Sequence, residues 1–411
     1  MEVEWFVGID WATREHVVCL LDAVGKVIGE RKFEHTGLGI ASIAQWLLEK
    51  TGTTDPKSFH VAIEVNRGAV VETLLDHGLN VYALNPKQLD RFRDRFTVAG
   101  AKDDRLDARV LADSLRTDRG RFRLLRVDDP IIIQLRAWSR IDEELGDERI
   151  RLTNRFREEL LRYYPQFLDV ASDIGRDWFL RLWEIAPTPA VAARVREITI
   201  AKHLLERKVR AIKAKDVLAK LRQKPLTVAP GSTEAAVGHI QTIIARLRLI
   251  NTLMKDAEKK LDELIAQLEP EKKAEQRDAT VLLSWPGIGR TVVATLLAEA
   301  SQPLAARDYQ TLRSLCGVAP VTKASGKRSG PRAVVVMRQA CSVRLRNAVY
   351  YWAQNAIRYD EKSKALYAAL RKRGKTHGRA LRSVADRLLA IACSMLKNGE
   401  LYDPERRRLA A

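Results

Sequence analysis

The sequence predicts a mixed α/β domain followed by a longer, almost wholly helical remainder. Three observations point there. Residues 3 to about 125 alternate short β-prone apolar runs with turn-like stretches and helical spacings. From about residue 130 the apolar residues recur in steps of three and four and keep that period. Two breaks, at 225–231 with its Pro and Gly and at the charged stretch 270–277, divide the helical part. The expected organisation is an α/β domain over 1–125, a helical and coiled-coil region over 126–270, and an α-rich C-terminal domain over 271–411.

Trp5–Asp10 and residues 16–21 and 27–33 are short β-prone runs separated by turns, which predicts a three-stranded antiparallel meander. Residues 39–50 place Ile40, Ile43, Ala44 and Leu47 at helical spacing and cross over the sheet. Residues 59–64 return as a fourth strand, 68–77 form a second helix and Asn80–Ala83 a fifth strand. A helix over 106–115 turns Leu106, Val110, Leu111 and Leu115 inward. Three antiparallel strands followed by alternating helix and strand is the layout of the ribonuclease H-like fold. In that fold one acid lies on the first strand, one at the end of the fourth, and the last on a helix beside them.

Acids stand at those places. Asp10 and Glu64 each end an apolar run, where a strand delivers a side chain to the rim of a sheet. Asp104 and Asp107 are three apart, so on a helix their carboxylates share a face about a turn apart, within reach of one or two hard cations. The plainer alternative is that acids at a helix mouth answer the helix dipole. Two divalent ions held by such carboxylates can clamp the attacking and leaving oxygens of a phosphodiester in line.

Composition narrows the partner. With 71 Lys and Arg against 52 Asp and Glu, the 411-residue chain carries a net charge of +19, spread over many segments, which points to nucleic acid. Apolar runs such as 388–393 are far too short to span a bilayer, and the N-terminus lacks the layout of a signal peptide, so no membrane partner is expected. Cys19, Cys316, Cys341 and Cys393 are scattered and no histidine stands at ligand spacing, which argues against zinc or a disulfide framework and fits a reducing, cytoplasmic setting. The seven histidines read as structural or solvated.

In the helical middle, residues 149–164 carry Ile150, Phe156, Leu160 and Leu161 broadly on one side, with Arg149, Arg151, Arg155 and Arg157 around them, until Pro165 stops the helix. This face meets phosphates or is an ordinary solvated amphipath. Residues 194–224 hold eleven basic residues against three acidic ones, Lys202, Arg207, Lys208, Arg210 and Lys213 among them, a density that suits an RNA or DNA backbone. Val237, Ile240, Ile244, Leu247, Ile250, Met254, Ala257, Leu261, Leu264 and Leu268 then make a coiled-coil seam. The favoured expectation is a partner chain and hence a dimer; the alternative is an antiparallel hairpin with the arginine-rich helix.

Residues 279–300 read as helix, glycine turn, helix, with Gly287 and Gly289 bracketing Ile288 ahead of Arg290. The pattern resembles a helix-hairpin-helix, whose backbone amides take DNA phosphates without sequence preference. A glycine-rich basic loop over 315–332 carries Lys323, Ser325, Gly326, Lys327 and Arg328. Taken alone, a Ser-Gly pair in such a loop is a turn.

Gly-Ile-Asp-Trp-Ala at 8–12, the strand ending in Glu64, Lys-Asp-Asp-Arg-Leu-Asp-Ala at 102–108, Thr-Asn-Arg-Phe-Arg at 153–157, Pro-Gly-Ile-Gly at 286–289, and Gly-Val-Ala-Pro at 317–320 followed by Ser-Gly at 325–326 form an ordered set. Together they resemble the transposases of the insertion-sequence 110/1111 family, the bridge-RNA-guided serine recombinases. The resemblance implies a Holliday-junction-resolvase-like domain with Asp10, Glu64, Asp104 and Asp107 as catalytic ligands of Mg²⁺, with Mn²⁺ as a substitute. It implies DNA and a structured guide RNA as partners, a dimer or tetramer, and Ser325 as a nucleophile that forms a phosphoserine ester. Lys323, Lys327 and Arg328 would neutralise the phosphate, and Gly326 would let the backbone approach it. Asp103 departs from the family's Asn or Thr, and the three-residue interval to Asp107 selects Asp104 as the ligand. Ser329 is the rival nucleophile. Two other classes remain, a metal-dependent structure-specific nuclease without a serine nucleophile and a non-catalytic RNA-binding scaffold.

Overall fold

The computed structural model describes residues 4–65, 67–84, 86–96, 103–126, 129–268, 278–323 and 334–405. They fall into two compact units, 1–128 and 129–411.

In the first unit β1 (Trp5–Asp10), β2 (Glu15–Leu21) and β3 (Val27–Glu34) form the antiparallel meander, and α1 (Gly37–Thr51) crosses over to β4 (Phe59–Ile63). Then follow α2 (Ala69–Asp76), β5 (Asn80–Ala83), α3 (Pro86–Arg93), α4 (Asp104–Asp118) and β6 (Arg123–Leu124). The sheet order is β3-β2-β1-β4-β5-β6; β1, β4 and β5 run parallel and β6 is antiparallel to β5. Alternation along the strands sorts two cores. Val7, Ile9, Val18, Leu20, Val61 and Ile63 meet residues of α1 and α2 on one face, whereas Phe6, Val17, Cys19, Leu21 and Ala62 meet α4 on the other. Two elements stand beyond those the sequence predicts: α3, whose Leu89 and Phe92 make too weak an apolar stripe, and β6, which is only two residues long.

The second unit opens with α5 (Pro130–Tyr163), capped by Asp129, whose carboxylate accepts from Ile131 N. The short helices α6 (Asp177–Ile185), α7 (Pro189–Arg194), α8 (Glu197–Glu206) and α9 (Ala214–Leu221) lead to α10 (Ser232–Gln267). Beyond it stand α11 (Asp278–Leu283), α12 (Arg290–Glu299), α13 (Ser301–Ala305), α14 (Tyr309–Leu315), the antiparallel pair β7 (Val321–Lys323) and β8 (Val334–Val336), α15 (Val343–Tyr359), α16 (Glu361–Lys372) and α17 (His377–Asn398).

The expected partner-chain seam is corrected here. Ile240, Ile244, Leu247 and Ile250 of α10 share a core with Leu152, Phe156 and Leu160 of α5, and Leu261 and Leu264 share another with Leu135. The start of α10 therefore meets the end of α5, and its end meets the start of α5, which is an antiparallel hairpin within one chain. Periodicity shows that a face must be covered but does not say by what. Each side chain buried fully in this way contributes roughly 1.5–3 kcal/mol. The basic stretch 194–224, read as one helical block, is instead parts of three short helices and their links, with Lys208 at a positive φ of 53° in the link after α8. No helix among the described residues is long and apolar enough to cross a membrane.

Candidate active site and nucleic-acid surfaces

Register brings the first two acids together. Ile9 pairs with Ile63 across the parallel β1–β4 ladder, so Asp10 and Glu64 come next on adjacent strands. By alternation Asp10 lies on the face of Phe6 and Gly8, and Glu64 on the face of Ala62, which is the α4 face. A glycine is what lets α4 come so close. A Cβ on Gly8 would lie 1.9 Å from the Ala108 carbonyl oxygen and 2.6 Å from the Ala112 nitrogen.

The direction of α4 sets which of its residues reach that end. Gly25, in the β2–β3 turn, would bring a Cβ within 3.1 Å of Arg116 near the end of α4. Phe6 pairs with Leu21, so that turn lies beside the start of β1. The first turn of α4, with Asp104 and Asp107, therefore lies at the opposite end of the sheet, where β1 and β4 deliver Asp10 and Glu64. Asp103 is the N-cap, its carboxylate accepting from Arg105 N at 3.3 Å, a structural employment that leaves Asp104 as the first helical acid.

Asp107 is 2% exposed and Asp104 is exposed. Arg93 Nε donates to Asp107 Oδ1 at 2.6 Å, and Arg93 Nη1 donates to Asp90 Oδ1 at 2.9 Å. The hydrogen bond to Asp107 raises the guanidinium's pKa above its ordinary value. Among the described residues no group of three or more His, Cys, Asp or Glu stands ready to hold a metal ion. The donor chemistry is that of a hard divalent cation, since carboxylates are what the two strand ends and the helix turn bring to this end of the sheet. What differs from the sequence expectation is that Arg93 supplies Asp107 with its counter-charge from within the chain.

Beside Asp10, Trp11 is 40% exposed, its ring stacked at 6.4 Å on that of buried His16. His16 Nε2 and His35 Nδ1 are hydrogen-bonded at 2.9 Å, and burial, followed by the neighbouring His35, pushes the His16 pKa down. The pair thus ties β2 to the residue that follows β3.

Ser325, Gly326, Lys327, Arg328 and the rival Ser329 lie outside the described residues. The ends of that loop are tied together, since Lys323 pairs with Val334 in the β7–β8 ladder. At the glycine turn, Gly287 has φ +84°, and a Cβ there would press on the Asn355–Ala356 backbone of α15 at 3.2–3.3 Å. Gly289 is the N-cap residue of α12 and faces open space, and Arg290 pairs with Asp262 at 2.8 Å.

The basic residues of the middle region separate into two kinds. Arg149 is engaged internally, donating to Asp173 at 2.9 Å and to Asn251 at 3.1 Å, and so differs from the phosphate-facing expectation. Arg151, Arg155, Arg157, Lys202, Arg207, Lys208, Arg210 and Lys213 are all exposed. Lys202 lies 4.0 Å from Glu206, a surface pair of little consequence.

Comparison with known proteins adds an independent line. A family model described as a transposase matches residues 7–165, and one described as the transposase IS116/IS110/IS902 family matches 279–368. A putative transposase of Sinorhizobium fredii is 54% identical over 209 residues, covering 51% of this chain and 58% of that protein. The mini-circle putative transposase for IS117 of Streptomyces coelicolor is 30% identical over 98% of this chain and 96% of its own length. An uncharacterized protein of insertion element IS116 from Streptomyces clavuligerus is 26% identical over 97% and 96%.

Proposed function

The chain belongs to the IS116/IS110/IS902 family of transposases, and on that premise we propose that it cuts and rejoins DNA through a covalent phosphoserine intermediate, guided by a structured RNA. The observation that supports the catalytic part is that Asp10 and Glu64, in register on one face of the sheet, stand at the end of it to which the first turn of α4, bearing Asp104 and Asp107, is directed. Strand order and acid placement together support reading the first unit as ribonuclease H-like.

When bound there, divalent cations would neutralise charge on the phosphate and on the oxygens entering and leaving it. Asp10, Glu64, Asp104 and Asp107 would hold them, which requires Arg93 to release Asp107. Ser325 Oγ would attack phosphorus, forming the Oγ–P bond as the P–O bond to the departing strand breaks. The serine proton would pass to a base, and the departing oxygen would leave as a hydroxyl. Attack by the hydroxyl of the incoming strand would reverse those steps and restore the serine, so that no external energy source is needed. The exposed cations of α5 and of residues 202–213 support an RNA-binding role for the second unit, and the Gly287–Gly289 turn supports a helix-hairpin-helix contact to DNA.

The test is to trap the full-length protein on a DNA substrate and locate the modified residue by mass spectrometry. An adduct on Ser325 that disappears in Ser325→Ala supports the mechanism. An adduct on Ser329 moves the nucleophile. Cleavage without any adduct leaves the carboxylate-only nuclease as the reading.

A further inference from the structure

Between α15 and α17 lies a cavity of about 170 Å³ whose floor is apolar, Val349 and Leu381 among it, and whose remaining wall includes Arg346, Arg382 and Tyr350. Met337, the residue after β8, closes one side. Both helices present their N-terminal halves to it, the ends at which helix dipoles favour anions.

The two arginines are unlike their neighbours. Arg344, two residues before Arg346, is held by Glu143 and Glu299, and Arg313 by Asp386. Arg346 and Arg382 form no ion pair with a carboxylate among the described residues, and Arg382 Nη1 donates only to the Met337 thioether at 3.2 Å. A thioether is a weak acceptor and a guanidinium carries five donors, so most of the hydrogen-bonding capacity of Arg382 is unanswered by the described residues. Burial, and then the nearby Arg379 charge, push the pKa of Arg382 below its ordinary value. An anion in the cavity would relieve both effects.

We propose that this cavity binds a backbone phosphate of a nucleic-acid strand, Arg346 and Arg382 holding its oxygens while Tyr350 and the apolar floor lie against the adjoining sugar or base. The planar donor forks of two guanidiniums match the two charge-sharing oxygens of a tetrahedral backbone phosphate, and an aromatic ring beside them suits a nucleotide better than a free inorganic anion. The proposal rests on the transposase reading only in taking the ligand to be a strand on which that chemistry acts, and it needs no particular nucleophile.

The experiment maps arginine modification by phenylglyoxal on the full-length protein by mass spectrometry. It is run without nucleic acid, with a short single-stranded DNA, with the RNA of the same sequence, and with a methylphosphonate strand that lacks backbone charge. A phosphodiester strand is expected to slow modification of Arg346 and Arg382 severalfold while the methylphosphonate does not; protection by DNA, by RNA or by both identifies the strand. In parallel, Arg346→Gln/Arg382→Gln should lower the slope of log affinity against log salt for the protecting strand by about 0.7, the share of one phosphate on a single strand. Equal modification under all four conditions, protection by the uncharged strand, or an unchanged salt slope would overturn the proposal. Ser325→Ala should leave the protection intact, so failure of the pocket and failure of the nucleophile are separately visible.

Discussion

Asp107 in the first unit is buried and Arg382 in the second is half-buried, and among the described residues only Asp107 has a counter-charge. Asp107 is 2% exposed and receives the Arg93 guanidinium at 2.6 Å, whereas Arg382 is half-buried and donates to a thioether. A buried charge without a partner is costly, so the first arrangement is complete as it stands and the second is not. The difference teaches where each unit invites a ligand. On the proposals made above, a metal ion at the acid face would have to displace the Arg93 guanidinium, whereas an anion in the arginine pocket would displace no ion pair of the described residues.

The comparison rests first on the close approach of α4 to β1, and the largest effect is expected there. Gly8→Ala places a Cβ 1.9 Å from the Ala108 carbonyl oxygen, a backbone contact that no side-chain rotation relieves. It should cost about 3 kcal/mol or more, enough to unfold the first unit or displace α4. Gly289→Ala, facing open space, should be close to neutral. Thermal unfolding of both variants checks this, and equal stabilities would break the argument that α4 is seated on Gly8.

A smaller effect sharpens the role of the internal cation. With Arg93→Gln, a divalent ion no longer competes with a guanidinium for Asp107. A charged hydrogen bond is worth roughly 1.5–3 kcal/mol, so Mn²⁺ affinity without DNA should rise by about tenfold or more. Titration followed by electron paramagnetic resonance measures it, and weaker binding would show that Arg93 supports the site instead of occupying it.

The smallest effect is in pH. Burial, with the nearby charge of His35 for His16 and of Arg119 for His60, lowers the pKa of both residues in the first unit, and burial lowers that of His203 in the second. A depressed folded pKa means that the unfolded state binds more protons, so stability is full above about 6.5 and falls as pH drops through the folded value. Each histidine adds a slope of at most about 1.4 kcal/mol per pH unit. Melting between neutral pH and pH 5 should therefore decline, and His16→Asn should flatten the decline. A melting temperature that rises on acidification would contradict the assignment of neutral, buried imidazoles.

Much of the first unit could be read from sequence because β1 and β4 are continuous apolar runs that lead to an acid, and the facing of their side chains then follows from alternation. Gly8 was visible as a glycine inside a strand, the usual sign of a close backbone approach, but which backbone approaches it depends on α4, a hundred residues later. The Arg93–Asp107 contact was not legible, since α3 has hardly any apolar stripe to announce it. The α10 seam is legible as a seam, but of its two candidate mates the sequence favours a partner chain, whereas the structure has the alternative, the arginine-rich helix α5, whose covering residues lie some eighty positions upstream. The arginine pocket draws on residues from 318 to 385 and has no local signature at all.

The central claim is that the acids gathered at the ends of β1 and β4 and on α4 perform the chemistry, and Glu64→Gln tests it most directly. Glu64 ends a strand and its amide isostere preserves shape, so the fold and DNA binding should persist. DNA cleavage and strand transfer measured with Mg²⁺ and with Mn²⁺ should fall to background while melting temperature and DNA affinity match the parent protein. Recombination at the parental rate in Glu64→Gln would contradict the account.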